Sequence, residues 1–150
     1  MTKHLLNLLL RPFPCYMKKT FIFLLVIMLF ISCEKDCYNA PQPIVFEFVN
    51  SNNENLITNG SLTTYSVQDE NNANIPLTKT SDNKVIVENV GAYNGTKNYK
   101  FYSNIKNLNF SIQSSKFKGG CDGFQINKLT FTGIAIDVTD EKGYYRIVLQ

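Results

Sequence analysis

The sequence predicts an all-β fold, an antiparallel Ig-like, Greek-key β-sandwich preceded by a helical signal peptide, and three observations carry that prediction. From Ile44 to the end, apolar residues recur with a period of two, the pattern of strands with one buried face. Turn signals at Asn59-Gly60, Asn94-Gly95 and the Gly119–Gly123 cluster cut the chain into short pieces. No stretch after Cys33 shows the spacing of an amphipathic helix. Some seven to nine short strands of this kind describe a sandwich, with an up-and-down barrel as the alternative.

Residues 1–16, MTKHLLNLLLRPFPCY, carry Pro12 and Pro14, which break any helix running into the next segment, and they read as an upstream mis-start. Met17 to Cys33, MKKTFIFLLVIMLFISC, has a positive pair at Lys18 and Lys19, an uninterrupted apolar run from Phe21 to Ile31, and a small residue, Ser32, before the cysteine. That is the layout of a secretory signal over 17–32. As a helix the apolar run rises only about 16 Å, against a hydrocarbon core of about 30 Å, so it is too short to be a spanning anchor. With Cys33 at the cleavage point, the segment resembles a bacterial lipoprotein signal, although Phe30 stands where the usual motif has Leu. The resemblance implies that Cys33 is lipidated and becomes the first residue of the mature protein. Residues 33–43, CEKDCYNAPQP, are polar, carry two prolines and suit an acylated tether, leaving 44–150 as the sandwich domain. Glu34 and Asp36 loosely resemble the acids that follow the lipidated cysteine in surface-exported lipoproteins of the Bacteroidetes, and a plain hydrophilic spacer explains them equally well.

The formal charge of +3 is misleading, because Lys3, Arg11, Lys18 and Lys19 all precede Cys33. The remainder is close to neutral, has no basic patch, and gives no reason to expect a nucleic-acid partner. A single domain of this size buries about two thirds of its unfolded surface. Of the four cysteines, Cys15 falls in the upstream segment and Cys33 takes the lipid, which leaves Cys37 and Cys121 to pair in an oxidising compartment. The competing reading is two free buried thiols. A loop of about 85 residues closed this way stabilises the fold by roughly 4 to 5 kcal/mol in the chain-entropy model.

In chain order, Ile44, Phe46 and Phe48 share one face of a first strand over Ile44–Val49. Asn59-Gly60, between ENLIT and SLTTYSVQ, predicts a tight hairpin, since both positions accept positive φ. Asp69 to Asn74 reads as a loop, Pro76 to Lys79 as a short edge segment, and Lys84 to Val90 as a strand. Tyr99 to Tyr102 alternates again, and Leu108, Phe110 and Ile112 form the cleanest half-buried strand. The Gly119-Gly120-Cys121-Asp122-Gly123 corner lets the backbone approach the Cys37 segment closely. Phe124 to Val138 is broken at Gly133 by a bulge or a strand end, and a turn over Asp140–Gly143 leads to a last strand, Tyr144 to Leu149. Asparagine is frequent throughout and favours loops with unusual φ.

The lipoprotein signal, then CYNAPQPIVFEFVN, ENLITNGSL, the GGC corner and INKLTFTGIAIDVTDEKGYYRIVL together resemble the small lipoproteins of flavobacteria and other Bacteroidetes. The resemblance implies an envelope location and a β fold. It implies no activity, because none is established for such proteins.

The lone histidine, His4, lies in the upstream segment, so the mature chain has no imidazole for a nucleophile–base pair or a metal. Two cysteines alone cannot complete a zinc site, and neither a calcium loop nor a phosphate loop is present. The carboxylate pairs Asp69–Glu70 and Asp140–Glu141 fall in predicted turns, where acids are ordinary. No cofactor and no catalysis are expected. Binding is the open class. Tyr65, Tyr93, Tyr99, Tyr102, Phe117 and Phe124 include rings that simple alternation leaves outside the core, notably Tyr102 opposite Phe101, and Tyr65, Tyr99 and Tyr102 are the candidate ligand-binding residues. Against this, tyrosines often line a sandwich core or rim, and the chain lacks tryptophan. The expectation is therefore a non-enzymatic structural or binding module on the outer membrane, at its periplasmic face or the cell surface. It would be held by N-terminal acyl chains, with a surface carbohydrate- or peptide-binding accessory as the alternative.

Overall fold

The computed structural model describes residues 37–133 and 136–149. The upstream segment, the signal and Cys33 lie outside the described residues. The described chain is all-β, with eleven strands: β1 Tyr38–Asn39, β2 Ile44–Val49, β3 Tyr65–Asp69, β4 Asn74–Ile75, β5 Leu77–Lys79, β6 Val85–Val87, β7 Gly95–Ser103, β8 Leu108–Lys116, β9 Asp122–Thr132, β10 Asp137–Glu141 and β11 Tyr144–Val148. They form a sandwich of a six-stranded sheet, β1-β9-β8-β7-β3-β4, and a five-stranded sheet, β10-β11-β2-β6-β5. Most pairings are antiparallel. Two are parallel, β1 with β9 and β11 with β2, and both join the first strands of the domain to the last.

Alternation sets the core. In β8, Leu108, Phe110, Ile112 and Ser114 are buried and the residues between them face outward. Opposite them, Ile44, Phe46 and Phe48 of β2 are closed off completely or nearly so. Phe46 is the hub, with ring centroids 6.0 Å from Phe48, 5.4 Å from Phe110, 5.7 Å from Phe131 and 6.4 Å from Tyr145, all edge-on. Phe48 stacks on Phe101 at 4.5 Å. Such a layer of interlocking rings explains why the two sheets need no helix between them.

The turns are built largely by asparagine and aspartate. Asn53, Asn72, Asn83 and Asn89 all adopt positive φ, between 55° and 63°. In the β3–β4 turn the Asp69 carboxylate accepts hydrogen bonds from the backbone N–H of Asn71 and Ala73, each at 2.9 Å.

Three expectations are revised. Asn59-Gly60 does form a turn, with Gly60 at φ 76°, but no hairpin. Asn55 takes the N–H groups of Ile57 and Thr58 on its own side chain, and Leu56 and Leu62 both point inward, bridged by a backbone bond of 2.8 Å. The segment plugs the core as a loop, tied to the end of β2 by a single antiparallel bridge between Asn55 and Val49. The 33–43 stretch is not all tether, since Tyr38 and Asn39 enter the sheet beside Asp122 and Gly123. Asp140 and Glu141 belong to β10, and the turn is confined to Lys142-Gly143. The break at Gly133 is present, between β9 and β10. A bulge falls elsewhere: the register of β8 and β9 slips between Gln113 and Ser114, leaving Asn127 as the extra residue.

A candidate binding trough at one end of the sandwich

Cys37 and Cys121 are disulfide-bonded to each other. The bridge flanks the first β1–β9 register pair, Tyr38 with Asp122. Here the glycine corner does what its composition implies. A Cβ on Gly123 would lie 2.1 Å from the Asn39 carbonyl oxygen, so only glycine lets the two backbones meet.

Beside this corner the two sheets part, and a cleft of about 620 Å³ opens between them. The six-stranded sheet contributes Phe124, Gln125 and Ile126 at the start of β9, and the five-stranded sheet contributes Ile44, Val45, Tyr144, Tyr145 and the end of β10 at Asp140. Asn39, Gln42 and Pro43 close one side and Phe117 another. The floor is apolar, because Ile44 is buried and Ile126 is packed against the core. The rim is polar.

Tyr145 sits between core and cleft, its ring 5.9 Å from Phe131. Burial, with the Asp140 carboxylate as a second cause, pushes its hydroxyl pKa above the ordinary tyrosine value, so the group stays protonated and can donate. Next to it, Tyr144 is fixed from the outer face of the sheet. Arg146 Nη2 donates to its hydroxyl at 3.0 Å, Lys84 Nζ lies 4.2 Å from its ring centroid, and Arg146 is held in turn by Glu47 at 2.9 Å and Glu141 at 3.1 Å. Phe117 is 40 % exposed and lies over Gly119, where a Cβ would come within 2.2 Å of the ring. On its far side Phe117, with Gln125, also lines a second depression with Asn94, Ser115, Lys116 and Lys118. The two hollows make one trough divided by a ring.

The sequence candidates fare unequally. Tyr99 is corrected: it is only 3 % exposed, stacks on Phe110 at 5.2 Å, and turns its hydroxyl towards that of Tyr93 at 3.4 Å, so it is a core residue. Tyr65 and Tyr102 are half-buried, but the β3–β7 register pairs Tyr65 with Ser103 and Tyr102 with Ser66, which puts the two rings on opposite faces of the sheet. Tyr65 lies against Phe101, and the shallow hollow both tyrosines touch has no other aromatic wall. These three do not form one patch. Phe117 and Phe124, also singled out from alternation, do come together, joined by Tyr144 and Tyr145, which sequence reasoning missed, and by Asp140, which it set aside as a turn residue. Tyr144 is out of phase with Ile147 in β11, which places it on the outer face of the five-stranded sheet, at the edge of the cleft.

The carboxylate pairs do not converge. Asp69 serves its own turn, Glu141 is bound by Arg146, and among the described residues Asp140 is the one acid lining the cleft. No family model, no curated protein and no solved structure matches this chain.

Proposed function

We propose that this chain is a lipid-anchored envelope protein of a Gram-negative outer membrane, acylated on Cys33. Its β-sandwich acts as a non-enzymatic binding module through the trough around Phe117. The observation that carries the anchor is the segment MKKTFIFLLVIMLFISC, whose basic start, short apolar run and terminal cysteine suit processing and acylation. A disulfide four positions beyond that cysteine is in keeping with an exported chain. The binding role is supported by the trough itself, a concave site with an apolar floor, exposed rings and a few convergent polar groups. A single acid with no imidazole partner offers binding and orientation in place of bond-breaking chemistry.

The anchor is tested by expressing the chain and Cys33→Ser in a bacterium fed radiolabelled palmitate. The parent chain incorporates label and stays with membranes through a carbonate wash, while Cys33→Ser incorporates none and is released. Retention of unlabelled Cys33→Ser in the washed membranes would overturn the assignment.

A further inference from the structure

We infer that the trough binds a neutral oligosaccharide chain that lies across Phe117, with the ring as its stacking platform; this deepens the reading of the trough as the working surface and does not depend on the anchor.

Three features of the molecule converge on that ligand. The first is ring presentation. Phe117 is held out by the chain, not by chance of exposure, because Gly119 leaves the space its edge occupies and the other side is open to both hollows. Flat apolar rings beside water suit the C–H faces of pyranose sugars, which are apolar discs edged with hydroxyls. The second is polarity. Among the described residues Asp140 is the only formally charged one lining the 620 Å³ cleft, Lys116 and Lys118 line the second hollow, and the cleft is edged by Asn39, Gln42, Gln125 and the protonated hydroxyl of Tyr145. Amides and a phenol supply donors and acceptors in the mixture that hydroxyl groups need, and charges of both signs along the trough give a polyanion no consistent attraction. The third is the division into two hollows that share Phe117 and Gln125, which fits a chain of several units better than one compact molecule.

A peptide is the natural rival, since the edge of β9 beyond Gly123 has no partner strand among the described residues. That edge is guarded. The bulge at Asn127 disturbs its register and Lys128 sits on it, while β10 on the other side of the gap carries Asp137 and Asp140. Bulges and charges of this kind discourage an added strand. Sugar stacking needs no backbone ladder and is indifferent to them.

The test uses the full chain in detergent micelles, run in native affinity gels that contain neutral polysaccharides (dextran, mannan, laminarin or xylan) or anionic ones (alginate or polygalacturonate). At least one neutral polymer is expected to retard the parent chain. Phe117→Ala should weaken that retention about tenfold, Gly119→Ala should weaken it by displacing the ring, and Phe117→Tyr and Tyr102→Ala should leave it intact. Phe117 is exposed, so circular dichroism and melting of Phe117→Ala should match the parent. Retardation by anionic polymers alone, still dependent on Phe117, would overturn the neutral-sugar inference and leave the trough reading standing. Absence of any Phe117-dependent retardation would overturn both.

Discussion

In the middle of the sandwich Phe46 is closed from solvent by four other rings, whereas at the end beside β1 Phe117 keeps 40 % of its surface in water and packs on a glycine. The residue type is the same. What differs is whether the opposite sheet comes near enough to cover it. Along β2 and β8 the sheets face each other and Ile44, Phe46, Phe48, Leu108, Phe110 and Ile112 join one buried cluster. At the starts of β9 and β11 a cleft lies between them, lined in part by the segment from Asn39 to Pro43, which passes from one sheet to the other. A ring that buys stability in one place is left as a surface in the other.

The sharpest way to break the comparison is to empty the hub. Phe46→Ala removes a fully buried ring and is expected to cost about 3 to 5 kcal/mol, read as a lowered urea midpoint with a nearly unchanged slope. A loss under about 1 kcal/mol would mean that the core is not the closed layer described. Next comes the corner beside the trough. Replacing both Cys37 and Cys121 by serine should cost about 2 to 4 kcal/mol without touching a core ring. Amide exchange should quicken first at Tyr38, Asn39 and the start of β9, and uniform quickening would instead place the bridge's effect in the whole fold.

A smaller, pH-dependent difference follows from the buried hydroxyls. Burial, and for Tyr99 the neighbouring Tyr93 hydroxyl, raises the pKa of Tyr99, Tyr93 and Tyr145 above the ordinary value of 10.0. The unfolded chain therefore loses those protons at lower pH than the folded one. Stability is fully present below about pH 10 and falls as the pH rises from there towards the folded values. Tyr99→Phe should leave stability near neutrality almost unchanged, because the hydroxyl contact it loses is long at 3.4 Å, and should flatten the alkaline decline. An equal decline in the variant would show that Tyr99 does not contribute to it.

Much of the fold was legible in the sequence because period-two alternation records which side chains face a partner sheet. Leu108, Phe110 and Ile112 are the clearest case, and the inward set of β2 follows the same rule. The glycine corner was legible for a different reason, since only a close approach of two backbones calls for glycine so near a cysteine. Alternation fails where a face is defined by distant segments. It set Tyr99 beside Tyr102 as a candidate, although one residue of such a pair must point inward, and the register decides which. It could not find the parallel pairing of β11 with β2, because nothing local marks a strand that joins a neighbour about a hundred residues away in sequence. It also could not show that Phe117, Phe124, Tyr144 and Tyr145 line one trough, because they come from separate segments that only the folded chain assembles.

The central claim is that the ring at 117 serves binding and not packing, and a single pairing of measurements on Phe117→Ala tests it. Thermal melting and retention in neutral-polysaccharide gels are read on the same purified sample. A stability within about 0.5 kcal/mol of the parent together with retention weakened about tenfold is the expected result. Unchanged retention, or a stability loss as large as that of a core ring, would contradict it.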